Sequence, residues 1–252
     1  MKINQAFTIL SNAGGIRAAR IITENKPNLR RVAVWRIAHQ LRRGMPVAKI
    51  IHKKWFYGLL FYTNRHTLDP RPDTETLVDA VIGDKPKSPR ILDVGTGTGC
   101  IICAIVNNIA GASGVGMDKS WRARRVARYN VRTHGLTKRI RICAGNFNDK
   151  NNYGKFDVIV ANPPYIAVGD TRVNVGATFD PKIALYADND GYAAYESIAK
   201  NMRQNLKHGG MLYVEIGIDM GARVRKIFTR HGWRFIRGHN DLAGIERVLI
   251  FG

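Results

Sequence analysis

The chain has 252 residues, 45% of them hydrophobic, enough to bury a substantial core as one large domain or one domain with a small appendage. No run approaches the roughly 18 uninterrupted apolar residues of a membrane span, and three cysteines make an odd, sparse set that excludes a disulfide framework and fits a reducing compartment. The net charge of +21 is concentrated early, with thirteen Lys and Arg against the single acid Glu24 over residues 1–65, a field that draws polyanions in a salt-dependent way.

Charge alone does not establish a nucleic-acid partner, because a solvated basic face gives the same count. An acid-poor, Arg-bearing N-terminus also fits an organellar transit sequence. With no clear amphipathic helix ahead of Pro27, the cytoplasmic reading is preferred.

In chain order, residues 1–31 show weak periodicity, a Gly14-Gly15 break and Pro27, and read as short helices and loops. Residues 32–43 place Val32, Trp35, Ile37, Ala38 and Leu41 near helical spacing, with Gly44 and Pro46 as the stop. That is too little for an independent core, so residues 1–48 are expected as a short basic helical segment packed on something else. The aromatic-dense residues 55–62 read as a β-hairpin turning near Gly58, within a linker over residues 49–72. Lys53, Lys54 and Arg65 flank it, but two strands burying one face against the main domain is favoured over a stacking platform for single-stranded nucleic acid. The rigid turn Asp69-Pro70-Arg71-Pro72-Asp73-Thr74-Glu75 follows, with Asp73 as a candidate N-cap for a helix over 74–82.

From Arg90 onward strand and helix alternate, the signature of a doubly wound parallel sheet. Strands are expected over 91–94, 115–117, 140–143, 156–160 and 211–215, and helices over 100–109, 120–133, 192–206 and 220–231. A closing strand pair over 233–237 and 247–251 completes a main domain over residues 73–252. Cys100 and Cys103 have C-x-x-C spacing but no second pair or His cluster, so they read as small buried residues on a helix. His134, His208 and His231 lack metal-ligand spacing and read as surface residues; no metal is expected.

Two turns carry chemistry. In Val160-Ala161-Asn162-Pro163-Pro164-Tyr165 a buried strand ends in two prolines that supply no N–H and fix φ, so neighbouring carbonyls stay out of helix and ladder. The Asn162 side-chain oxygen and the Pro163 carbonyl then form two rigid acceptors beside the Tyr165 ring, an array suited to a planar –NH2 group. A strand-capping turn in which Asn162 bonds its own backbone is the bland alternative. The second turn, Gly95-Thr96-Gly97-Thr98-Gly99, follows the first strand of the sheet and brings backbone N–H groups and a helix N-terminus towards a ligand. Its G-x-G-x-G spacing is weak evidence alone. Asp118, about twenty residues on at the end of the second strand, adds a carboxylate that can accept both hydroxyls of a ribose. Together they describe a nucleoside-cofactor site with no need to bind phosphate, which S-adenosylmethionine fits, and methyl transfer to a planar –NH2 nitrogen at Asn162.

With these residues in place the chain resembles the release-factor glutamine N5-methyltransferase family, whose members modify the glutamine of the Gly-Gly-Gln loop in peptide-chain release factors. The resemblance runs over roughly residues 42–252. It is carried by Arg43-Gly44-Met45-Pro46, Phe56-Tyr57-Gly58, Pro70-Arg71-Pro72-Asp73-Thr74-Glu75, Asp93 to Gly99, Asp118, Asn130, the Asn162 turn, Asp180-Pro181, Ala184-Leu185, Glu215-Ile216-Gly217 and Asp241-Leu242-Ala243-Gly244-Ile245-Glu246-Arg247. Asn-Pro-Pro-Tyr is shared with DNA and RNA amino-methyltransferases; the Pro70 to Glu75 segment and the closing Asp241 to Arg247 segment are more discriminating. The resemblance implies an α/β, class I, Rossmann-like seven-stranded methyltransferase domain with a shortened N-terminal helical appendage and a linking hairpin.

It further implies that Asn162 and the Pro163 carbonyl hold the substrate amide while Pro164 and Tyr165 pack on it, and that Arg71 and Pro72 close over the site. Asp93, Gly95, Thr96, Gly97 and Gly99 would hold the cofactor's amino-acid end, Asp118 its ribose, and Asn146 the adenine amine, with Asn162 reaching both molecules. For Asp73 and Glu75, helix capping is as good a reading as a ligand role.

The sequence departs from the family pattern in its short N-terminus, in Asn146 where relatives often carry an acid, in Met220 where a glutamine is usual, and in the basic run Arg122, Arg124, Arg125 and Arg128. Two rival functions follow: an RNA or DNA amino-methyltransferase acting on adenine N6 or guanine N2, and a non-catalytic translation-associated binding module. The basic N-terminus is expected to touch the ribosome or RNA, and no membrane partner is expected.

Overall fold

The computed structural model describes every residue except Met1, Asn151 and Arg172. Gly15, at φ 86°, splits the N-terminal segment into α1 (Ile3–Gly14) and α2 (Ile16–Asn25), a conformation glycine adopts without steric cost. Two more helices follow, α3 (Arg31–Arg42) and α4 (Val47–Ile51). Residues 1–31 are short helices broken at Gly15 and ended by a loop at Pro27, as expected, but the lack of an amphipathic helix before Pro27 is corrected, since α2 buries Ala18, Ala19, Ile22 and Thr23. The four helices also share an apolar cluster of their own, in which Leu10, Ala19, Ile22, Val34 and Ala38 are fully shielded. Alanine-rich faces give a weak hydropathy signal, and such helices are stabilised mainly by packing on one another.

The hairpin pairs β1 (Lys53–Phe56) with β2 (Leu59–Tyr62). Tyr57 and Gly58 both stand at positive φ in its two-residue link, the mirror-image turn whose twist matches paired strands. Phe56 and Phe61 enter the core beneath the main sheet, whereas Trp55 stays exposed. After the hairpin, residues 72–74 form a short 3-10 turn leading into α5 (Glu75–Gly83). Neither turn nor helix carries a side-chain cap, so the expected Asp73 N-cap is corrected.

The main domain continues with β3 (Arg90–Val94), α6 (Cys100–Asn108), β4 (Ser113–Asp118), α7 (Trp121–Thr133), β5 (Ile140–Ala144) and β6 (Phe156–Ala161). Between β6 and α9 (Ala193–Asn201) lie a 3-10 turn (Val175–Phe179) and three further short elements that the sequence did not announce, β7 (Ile166–Ala167), α8 (Lys182–Leu185) and β8 (Tyr186–Ala187). The chain ends with β9 (Leu206–Glu215), α10 (Gly221–Arg230), β10 (Phe235–Asn240) and β11 (Glu246–Phe251). The seven-stranded sheet has the order β10-β11-β9-β6-β3-β4-β5. Its pairs β3·β4, β3·β6, β4·β5 and β6·β9 are parallel, and β11 runs against both its neighbours. This is the class I methyltransferase architecture.

Cys100 and Cys103 are buried on α6, and burial pushes the Cys100 thiol up to about 12. His134 is corrected from surface to half-buried, its ring 4.9 Å from that of Phe61. No helix among the described residues is long and apolar enough to cross a membrane.

Two polar devices lock the N-terminal elements onto the sheet. Asn130 on α7 accepts from the Tyr62 N–H (2.8 Å) and donates to the carbonyls of Tyr62 (3.0 Å) and Thr98 (2.8 Å), tying hairpin, helix and glycine turn together. Lys49 of α4 is buried; its Nζ pairs with Asp69 (2.9 Å) and Asp180 (2.7 Å) and donates to the carbonyls of Asn64 and Thr67. Buried charges survive only when paired and hydrogen-bonded in this way.

Candidate active site

Strands β6, β3 and β4 are neighbours and parallel, so their carboxyl ends bring three chain segments to one edge, where ligands bind in open α/β sheets. After β3, Gly95, Gly97 and Gly99 all take positive φ. The expectation that this turn offers its N–H groups to a ligand is corrected. Gly95 and Thr96 donate to the Met117 carbonyl, Gly97 to Asp118 Oδ2 (3.0 Å) and Gly99 to the Thr96 carbonyl.

Asp118 ends β4 and also accepts from the Ser120 N–H at 2.8 Å. Its carboxyl is pushed up by burial, although these two N–H donors and Arg124 oppose the shift. Beneath the turn Asp93 is fully buried; Oδ2 accepts from Thr96 Oγ1 at 2.6 Å, while Oδ1 has no partner. Burial raises this carboxyl to about 7.

A cleft of about 740 Å³, including its solvent-open part, lies over the edge; among its walls are Gly95, Gly97, Asp118, Asn146, Phe147 and Asn162. Asp93, Thr96 and Gly99 do not line it: Thr96 and Gly99 are on the far side of the turn and Asp93 lies beneath it. Asn146 does line it, but its Oδ1 already accepts from the Asn148 N–H at 3.1 Å, which leaves one lone pair for a ligand.

On the other side of Asn162 a second cleft is lined by Arg71, Pro72, Pro163, Pro164, Tyr165 and Glu215, among others. The two clefts share Leu68, Asn162, Pro163, Pro164 and Ala184. A group seated in one can therefore meet a group seated in the other only across this segment.

The Asn162 amide is held by residues from elsewhere. Its Nδ2 donates to Thr74 Oγ1 at 2.9 Å, and the Glu215 carboxyl at the end of β9 lies beside both side chains, each of which favours its ionised form. This fixes the amide with its –NH2 edge inward, and neither Asn162 Oδ1 nor the Pro163 carbonyl receives a donor from the described residues. Glu215 is fully buried, its Oε2 is unpartnered, and burial raises it to about 7 against the pull of Thr74 and Arg247. Burial likewise pushes the Tyr165 hydroxyl well above its ordinary range.

The walls are braced from outside. Arg71 pairs with Asp180 at 2.6 Å, and Arg247 bridges Asp241 (2.9 Å) and Asp73 (3.3 Å). Glu75 accepts from the Tyr57 N–H at 2.7 Å. Sequence reasoning assigns no role to Thr74 or Glu215, although both stand in segments that carry the resemblance and Glu215 closes an otherwise apolar strand.

Comparison with known proteins places this geometry. The family described as Methyltransferase small domain matches residues 69–182. The release factor glutamine methyltransferase of Agrobacterium fabrum is 39% identical, covering 86% of this chain and 78% of its own length. The bifunctional methyltransferase of Rickettsia prowazekii is 38% identical over 85% of this chain, which spans only 45% of that longer protein. Among solved structures, a ribosomal protein L11 methylase from Lactobacillus delbrueckii subsp. bulgaricus superposes with a TM-score of 0.56 at 17% identity, over 74% of this chain and 81% of its own.

Proposed function

Because the chain belongs to the release factor glutamine methyltransferase family, we propose that it methylates the side-chain amide nitrogen of the glutamine in the Gly-Gly-Gln loop of peptide-chain release factors. The observation that carries this reading is the pair of free acceptors, Asn162 Oδ1 and the Pro163 carbonyl, on the segment where the two clefts meet.

The first cleft fits S-adenosylmethionine. Asp118 lines it and keeps lone pairs for ribose hydroxyls, and Asp93 supports the glycine turn from beneath through Thr96. The N–H groups of Gly95, Thr96, Gly97 and Gly99 are engaged within the protein, which suits a cofactor without phosphate. When bound, S-adenosylmethionine supplies an electrophilic methyl group.

An amide nitrogen is a poor nucleophile because its lone pair is delocalised into the carbonyl. Asn162 Oδ1 and the Pro163 carbonyl accept its two hydrogens and set the nitrogen's position, while Tyr165 provides a flat wall. As the nitrogen pyramidalises, positive charge develops on the N–H2 group and both fixed acceptors bind it more strongly. That is stabilisation realised in the transition state. Thr74 and Glu215 act through Asn162 as positioning residues: an ionised Glu215 can only accept, so the Asn162 –NH2 stays inward and its oxygen stays outward. Arg71 and Pro72 wall the substrate side.

The reaction is placed in the cytoplasm, where release factors work, and a contact of the basic N-terminal segment with ribosomal RNA is part of the same reading, supported by its excess of Lys and Arg. The domain limits 1–48, 49–72 and 73–252 remain our working division. The test is transfer of labelled methyl from S-adenosylmethionine to purified release factor, to its Gln→Ala loop variant, and to total RNA. Label on the wild-type factor alone is expected; label on RNA would refute the assignment.

A further inference from the structure

The basic run on α7 is not used by the chemistry above. Ala123, Val126, Ala127, Asn130 and Val131 face inward, and the opposite face carries Trp121, Arg122, Arg125, Tyr129 and Arg132. Spacings of four, seven or eight and eleven residues put these on one stripe. Trp121 and Tyr129 are 58% and 46% exposed, large values for rings of this size, and lie about 12 Å apart along the helix axis. Together with Tyr62, Asn64 and His66 from the hairpin exit, Trp121, Arg122, Arg125 and Tyr129 of the stripe line an open groove with no carboxylate among its lining residues, and Arg132 follows one turn beyond it.

Within that groove the Arg122 guanidinium lies 5.3 Å from the Trp121 ring and the rings of Tyr62 and Tyr129 are 5.1 Å apart; at its end Arg132 lies 5.8 Å from the Tyr129 ring. Arg124 and Arg128 of the same helix donate to backbone carbonyls, whereas Arg122, Arg125 and Arg132 have neither ion pair nor hydrogen bond to the described residues. Unpaired guanidinium groups interleaved with exposed rings are what a flexible polyanion with flat faces requires: phosphates for the arginines, bases for the rings. The Asn130 clamp holds helix and hairpin in fixed relation, so the groove is preformed.

We infer that the α7–hairpin groove is a docking site for single-stranded RNA, with bases stacked on Trp121, Tyr129 and Tyr62 and phosphates on Arg122, Arg125 and Arg132. His66 lines both this groove and the first cleft, so RNA held here lies beside the reaction site without entering it. The groove lies outside the basic N-terminal segment, so this contact is additional to the one proposed there.

The test measures binding of a fluorescein-labelled oligouridylate of about twelve nucleotides by anisotropy, from about 50 to 200 mM salt. Trp121→Ala is expected to weaken binding about tenfold or more, and Trp121→Phe to restore most of it. The double variant Arg122→Ala, Arg125→Ala should lower the slope of log affinity against log salt by about 1.4. A control lacking the exposed pair Arg17 and Arg20 of α2 removes the same charge elsewhere. Equal weakening by that control, or unchanged affinity in Trp121→Ala, overturns the groove in favour of a diffuse basic field. Methyl transfer to free release factor is measured in parallel: its loss in the groove variants with RNA affinity intact means that the groove seats the protein substrate, which also overturns the inference. Failure of methyl transfer by the unaltered protein counts against the proposed function alone, because the binding arm needs no methyl donor.

Discussion

The glycine turn after β3 and the Asn162 turn after β6 stand side by side on one sheet edge, and they treat their polar groups in opposite ways. The glycine turn is closed: its donors bond Met117, Asp118 and Thr96, and what it offers a ligand is shape and the Asp118 carboxylate. The Asn162 turn has its donor edge tied back to Thr74 and Glu215 and presents only acceptors. One turn thus suits a hydroxyl-bearing cofactor without phosphate, and the other suits the two hydrogens of an –NH2 group. The difference is made by proline. It removes donors from one turn, where glycine in the other merely lets the donors fold inward.

Four changes probe that division. Asn162→Ala removes an acceptor aimed at developing charge and is expected to lower kcat by about 10²- to 10³-fold, with S-adenosylmethionine affinity nearly intact by calorimetry. A variant with ordinary turnover would remove Asn162 from the mechanism. Lys49→Met attacks both turns at once, because Lys49 holds Asp180, and Pro181 and Ala184 beyond it line the clefts. Leaving Asp69 buried without its cation, and Asp180 with Arg71 alone, should cost about 3 to 5 kcal/mol in denaturant unfolding. If the loss is under 1 kcal/mol, roughly a surface pair's worth, the latch is unimportant.

Asp118→Ala should act on the cofactor side alone, raising the dissociation constant for S-adenosylmethionine about ten- to a hundredfold while kcat at saturating cofactor changes far less. An equal fall in both would show that the two turns are not separable.

Glu215→Gln is the smallest change and the most diagnostic. It should lower kcat about tenfold, leave KM for release factor nearly unchanged and flatten the pH profile. In the unaltered protein Glu215 titrates near 7, raised from 4.5 by burial. Below that value a protonated Glu215 becomes a donor and competes for the orientation of Asn162, so kcat should rise through about pH 7. Stability runs the other way. A carboxyl that holds its proton more tightly folded than unfolded contributes fully below about pH 4.5, loses that contribution as pH rises to about 7, and is flat above. Asp93, raised to about 7 from 3.8, has the same sign. Melting temperatures across this window should therefore slope downward, and less steeply in Glu215→Gln.

Much of this was legible from local pattern. Alternating strands and helices, the glycine turn, the acid ending β4 and the double proline after β6 are encoded in runs of a few residues, because backbone period and φ restriction are local properties. The hairpin was legible for the same reason. What local pattern missed were the alanine-lined faces of the helices before Pro27, whose stability lies in mutual packing, and the short elements after Tyr165.

The tertiary structure alone decided which way Asn162 points, since that depends on Thr74, 88 positions away, and on Glu215 from another strand. It alone buried Lys49 between Asp69 and Asp180, turned the glycine N–H groups inward, and set the hairpin's Tyr62 against the stripe of α7. The sequence determines a residue's chemistry and its local geometry; only the packed fold determines which of its lone pairs and donors are already engaged, and that remainder is what a ligand meets.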